Sequence, residues 1–126
     1  MKQYFLDTNF ISSLLIQKDS LHEEALSIFE EIKNDELYTS VIVIGELFAL
    51  KEEIDILGFI NDLQIRIIEY KKEDIILLSE LKNHIRTKLK ANDYSILIHS
   101  LSYSLELITF DVSLSKIFNT LKSQMI

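Results

Sequence analysis

Two short apolar runs near opposite ends of the chain each stop at an aspartate: Gln3–Leu6 ahead of Asp7, and Leu107–Phe110 ahead of Asp111. Runs of this length suit strands of a sheet covered on both faces, where no alternation of polar and apolar residues is required. Leu37–Thr39 and the β-branched Ile65–Glu69 read as two more strands. Between them the apolar period is helical. A helix is expected from Phe10, with Asp7 or Thr8 near its cap. Leu21, Ala25, Ile28, Phe29 and Ile32 predict a second, to about Asn34. Val41–Lys51 and Ile54–Leu63 predict two more. Leu78, Leu81, Ile85 and Leu89 form one stripe across Lys72–Leu89, and Tyr94, Leu97, Ile98, Leu101 and Leu105 another after Asn92 and Asp93. A short helix is expected at Leu114–Phe118, and the tail Ser123–Ile126 is read as an edge strand. Strands alternating with helices imply an α/β fold, a short central parallel sheet flanked by helices in three layers. The 126 residues give room for one such domain, taken as residues 1–126.

In a parallel sheet Asp7 and Asp111 would project at the same edge, the carboxyl ends of the strands, where such sheets bind ligands. Taken singly, each is also a reasonable helix cap. Glu46 shares a helical face with Ile42, Ala49 and Leu50, and charged groups are seldom buried unless paired or bound to metal. Asp93 begins its helix on the face of Ile96, Leu97 and Ser100, a position that ordinary capping also explains. Converging carboxylates would raise one another's pKa, and a hard divalent cation such as Mg²⁺ or Mn²⁺ would remove that penalty.

The remaining composition excludes other chemistries. There is no cysteine, hence no disulfide, thiolate nucleophile or cysteine-ligated zinc. The apolar run before Asp7 is too short for a signal peptide, and Val41–Leu50 is far too short to span a bilayer. A cytoplasmic protein without a membrane partner is the expectation. His22, His84 and His99 are scattered and read as structural or solvent-facing, and Tyr94 and Tyr103 as packing groups. The net charge of −7 is awkward for a nucleic-acid binder, since phosphate contacts dominate affinity. Two divalent ions on four of the acids would bring −7 to −3.

Four segments together resemble the motifs of PIN domains. Phe5-Leu6-Asp7-Thr8-Asn9 is similar to the opening motif, and Ser40–Leu47, with Gly45-Glu46-Leu47, to the second. Asn92-Asp93-Tyr94 followed by Ile98 resembles the third, and Leu107-Ile108-Thr109-Phe110-Asp111 the fourth. Order and spacing match the small VapC-type toxins from about Tyr4 to Phe118. The resemblance implies a PIN-like fold and Mg²⁺- or Mn²⁺-dependent cleavage of RNA at Asp7, Glu46, Asp93 and Asp111. In that reading Thr8, Asn9 and Thr109 orient the carboxylates. Ser113 stands where many relatives carry a further Asp or Asn, and a hydroxyl is a poorer metal ligand. A bound metal would acidify a water for attack on phosphorus, so no protein nucleophile is needed.

The basic residues Lys82, Arg86, Lys88 and Lys90 lead towards Asp93 and are candidates for holding RNA; a solvated helix face is the plainer explanation. The resemblance further implies a homodimer held inactive by an antitoxin protein. Phe10, Leu14, Leu15 and the helix from Leu21 are expected to leave apolar surface free for association. A stand-alone RNA-processing nuclease and a catalytically silent binding module are the alternatives. A receiver domain fits poorly, because the third strand ends in Glu69-Tyr70 and Val112 follows Asp111.

Overall fold

A computed structural model describes residues 1–50, 52–86 and 88–124. Its elements run β1 (Gln3–Leu6), α1 (Thr8–Leu15), α2 (His22–Ile32), β2 (Glu36–Ser40), α3 (Val41–Phe48), α4 (Ile56–Asp62), β3 (Arg66–Ile68), α5 (Lys72–Lys82), α6 (Ala91–Ser102), β4 (Glu106–Ile108) and α7 (Val112–Gln124). The sheet has the order β3-β2-β1-β4 and every pair is parallel. Phe5 lies level with Tyr38 on one side and Leu107 on the other. From β1 the chain steps outward to β2 and β3, then crosses back to lay β4 on β1's other side. The direction of winding therefore changes at β1, and a crevice opens at its carboxyl end, where Asp7 follows. Phe5 and Leu6 of β1 are wholly buried, together with Phe10, Ile11, Val43 and Leu97 from three flanking helices.

Among the described non-glycine residues only Gln64 and Ser104 take positive φ, at 57° and 55°. Each closes the turn between a helix and the next strand, leading into β3 and β4 respectively. Neither of the chain's two glycines fills this role; polar residues bear the modest left-handed cost instead.

Several boundaries differ from the sequence expectation. The helix expected over Lys72–Leu89 ends at Lys82, with Asn83 as its C-cap. Beyond Leu81 the stripe offers one apolar residue per turn, too narrow a face to hold a helix against α6, on which α5 packs. Ile85 and Leu89 still pack on the core, from non-helical chain. In contrast, α7 outruns its expected end because Leu114, Phe118 and Leu121 continue one buried stripe. Ser123 and Gln124 are consequently helical and not an edge strand; residues 125 and 126 lie outside the described residues. α3 stops at Phe48, capped by Ala49, and Lys51 is likewise outside the description. The last strand closes at Ile108, short of Phe110. The apolar surface expected to remain free at α1 and α2 is mostly used inside the chain: Phe10, Leu14 and Ala25 are buried, and Leu15, Ile28 and Phe29 are half-buried against the core. The two helices pack on each other, which satisfies both stripes.

Candidate active site

Asp7 is held by the junction of β1 and α1. Its backbone N–H extends the β4 ladder to the carbonyl of Ile108 (3.0 Å), and its carbonyl accepts from Ile11, which starts α1. Its carboxylate accepts from the Thr8 N–H and the Thr109 hydroxyl, both at 2.7 Å. Capping and site chemistry, set against each other in the sequence, coexist in one side chain. Asp111 likewise caps α7, accepting from the Leu114 N–H at 3.1 Å while remaining exposed.

Thr109 joins the two acids. Its hydroxyl donates to Asp7 and accepts from the Asn9 amide and from the Asp111 N–H, each at 3.1 Å. Asn9 completes the tie by accepting from the Phe110 N–H at 2.9 Å. That bond replaces a ladder partner and explains why β4 ends early while its path still leads to Asp111. Glu46, half-buried on α3 beside the buried Val43 and Leu47, accepts from the Thr8 hydroxyl at 2.7 Å. Asp93 stands in the first turn of α6.

These pieces meet in one cavity of about 340 Å³ lined by Asp7, Thr8, Asn9, Glu46, Asp93 and Asp111, with Ser12, Leu50 and Lys90 completing the wall. All four acids expected from the sequence are therefore together, and two of the three expected orienting residues, Thr8 and Asn9, face the same space; Thr109 acts from behind Asp7. Ser12 went unnoticed in the sequence, although it sits one helical turn after Thr8. Of the four basic candidates, Lys90 alone reaches this wall. Lys82 ends α5, Lys88 is exposed on the non-helical stretch, and Arg86 lines a different groove. The basic run is therefore not a helix face.

The carboxylates disturb one another. Burial pushes Asp7 up to about 6; bonds from Thr109 and Thr8 pull back, and the charges of Glu46 and Asp93 push further up. Asp93 is raised by burial first, then by the charges of Asp111 and Glu46, against the pull of Lys90. A site that resists collecting negative charge is one a hard cation would stabilise, and all its donors are oxygens. Among the described residues no three acidic or histidine side chains close on a single point as they stand. The cavity's size suits an ion that keeps part of its water shell, as Mg²⁺ commonly does. The donor set thus fits Mg²⁺ or Mn²⁺.

The histidines serve elsewhere. His22 donates to the Ser13 carbonyl at 2.7 Å, His84 is exposed, and His99 is fully buried with Asp74. The Tyr103 ring packs edge-on to His99. No helix of the described residues is long and apolar enough to cross a membrane.

Comparison with known proteins agrees with this architecture. In structure the chain is similar to VapC20 of Mycobacterium tuberculosis, a Sarcin-Ricin loop cleaving toxin, at a TM-score of 0.74 and 19% identity over 90% of this chain and 93% of that one. It is similar to VapBC2 of Rickettsia felis, solved bound to a promoter DNA fragment, at 0.74 and 18% over 91% and 92%. FitAcB of Neisseria gonorrhoeae matches at 0.70 and 20% over 92% and 93%. No curated protein sequence matches significantly. The family model of the PIN domain matches residues 4–118, a span that takes in all four acids, and the chain belongs to that family.

Proposed function

We propose that this protein is a divalent-metal-dependent endoribonuclease, the toxin of a toxin–antitoxin pair, acting in the cytoplasm. The observation that carries the reading is the convergence of Asp7, Glu46, Asp93 and Asp111 on one cavity, with Asp7 pushed up to about 6 by burial and like charge. A bound Mg²⁺ or Mn²⁺ would acidify a water and neutralise charge gathering on the phosphate during hydrolysis. The chain's own residues prepare for this. Thr109 keeps one Asp7 oxygen oriented, and Thr8 does the same for Glu46. Lys90, on the wall beside Asp93, offers a cation to the phosphate.

The toxin reading is supported by membership of the PIN domain family and by likeness to a Sarcin-Ricin loop cleaving toxin. The partner reading is supported by likeness to VapBC2, solved on promoter DNA, and to FitAcB. A homodimer is part of the same proposal, and the exposed Val41, Phe48, Leu50 and Leu57 on and after α3 and on α4 supply apolar surface for association.

Purified protein should cut single-stranded RNA with Mg²⁺ or Mn²⁺ and stop in EDTA. Asp93→Asn and Glu46→Gln should fold normally and lose cleavage by about a hundredfold, the upper end of the loss expected when the support of a metal ligand is removed. Cleavage that persists in chelator, or in both variants, overturns the reading. Expression alone should be toxic and relieved by the antitoxin gene; harmless expression of an active enzyme would argue for a stand-alone nuclease.

A further inference from the structure

Away from the acids a second groove, of about 260 Å³, lies between the non-helical stretch after α5 and the outer face of α7. Its walls are His84, Ile85 and Arg86 on one side and Lys116, Ile117, Thr120 and Leu121 on the other. Ile85, Ile117 and Leu121 are buried or half-buried and form its floor, while Arg86 and Lys116 are exposed. Among the described residues neither cation takes part in an ion pair, although the chain carries 20 acids against 13 basic residues. Two opposed, uncompensated cations with no carboxylate on the groove's wall are unusual on so acidic a surface.

Each wall lies within a few residues, along the chain, of one that lines the acid cavity. On the first wall Arg86 stands four positions before Lys90 in the chain, and Lys90 lines that cavity with Asp93. The second begins at Asp111, the cap of α7, and reaches Lys116 five residues later, about 7–8 Å along a helix axis. That is about one nucleotide of extended single strand. Arg offers a planar fork to phosphate oxygens and Lys a point charge, the combination that phosphate contacts use. We propose that Arg86 and Lys116 form a phosphate-binding subsite that holds the backbone of the RNA strand next to the nucleotide being cut. The subsite rests on the nuclease reading for its substrate but on none of the four acids for its binding. It explains how a protein of charge −7 retains RNA, because favourable charge is concentrated along the strand's path.

Binding of a fluorescein-labelled 12-nucleotide RNA is the test, followed by anisotropy in EDTA across a salt series, with cleavage of the same RNA measured separately in Mg²⁺. Arg86→Ala/Lys116→Ala should reduce the slope of log affinity against log salt by about 1.4, the single-strand value for two phosphates, and weaken binding by about 25-fold at 0.1 M salt if affinities converge at 1 M. In cleavage KM should rise with kcat little changed. Arg86→Lys/Lys116→Arg should bind like the parent. Lys2→Ala/Lys33→Ala, with the same charge change at the amino ends of the strands, should leave the slope unaltered. An unchanged slope in Arg86→Ala/Lys116→Ala, or an equal loss in Lys2→Ala/Lys33→Ala, overturns the subsite; the former would leave the groove to an acidic polypeptide. Loss of binding in Arg86→Ala/Lys116→Ala from a parent that never cuts RNA would uphold the subsite and refute the nuclease reading, so the two fail separately.

Discussion

His99 Nε2 lies 3.1 Å from a carboxylate oxygen of Asp74, and both side chains are closed off from solvent. The same Asp74 oxygen accepts from the Lys71 N–H at 2.7 Å, reaching back across the first turn of α5. The imidazole stands among Phe5, Tyr70 and Tyr103. One buried bond therefore ties α5 to α6 and to the aromatic cluster beneath the sheet. Asp74→Ala should cost on the order of 2–4 kcal/mol, because it strands a buried imidazole and uncaps α5. Asp74→Ala with His99→Phe should cost less than the two separate losses together. Urea titration of the four proteins checks this, and additive losses would show that the pair is not coupled.

Metal-free protein should lose stability as pH rises through the range where Asp7 ionises. Its folded pKa of about 6 lies above the usual 3.8, so the folded state holds the proton more tightly than the unfolded chain. This contribution is present in full below 3.8 and is gone above about 6, a difference on the order of 3 kcal/mol. Asp7→Asn should accordingly melt higher than the parent at pH 7 in EDTA, and the gap should close towards pH 4.5. A gap independent of pH would mean that Asp7 is not strained when ionised.

Added Mg²⁺ or Mn²⁺ should raise the melting temperature, by the equivalent of about 2.7 kcal/mol at a hundred times the dissociation constant. Asp111→Asn and Glu46→Gln should shrink the shift, since each removes a carboxylate from the cavity wall. An identical shift in parent and variants would place the ions elsewhere.

Thr109→Val should be far more harmful than its size suggests. The hydroxyl donates to Asp7 and accepts from Asn9 and from the Asp111 N–H, so a methyl group unties two acids at once. Metal affinity or activity should fall on the order of ten- to a hundredfold. Without the donor Asp7 holds its proton to higher pH, so metal binding should need more alkaline conditions. Thr109→Ser should recover most of both. A Thr109→Val protein with unaltered metal titration would assign the hydroxyl a packing role only.

What was legible in the sequence was local. An apolar run that halts at an acid marks both a strand and the edge it faces, which made Asp7 and Asp111 readable, and the crowding of Glu46 against an apolar stripe marked the third acid. Features built from distant residues were not readable. Asp74 and His99 are 25 positions apart, and neither is anomalous alone. The end of α5 depends on how much of its face α6, the helix it packs on, can cover: Ile75, Ile76 and Leu77 are apolar and still exposed. Turns closed by Gln64 and Ser104 carry no glycine to announce them. Lys116 drew no notice because its counterpart, Arg86, is brought opposite it only by the fold.

The order in which the sheet is assembled has a consequence for synthesis. β4 is the last strand made, yet it pairs with β1, the first, and brings Thr109 and Asp111 to Asp7. A growing chain that has not yet released residues 106–111 already carries Asp7, Glu46 and Asp93 but has no seat for the closing pair. Chains emerge amino end first, so the acid pocket stays open until residue 111 has been made and released. A pocket wound in this order cannot close on a partial chain, whatever else has already folded.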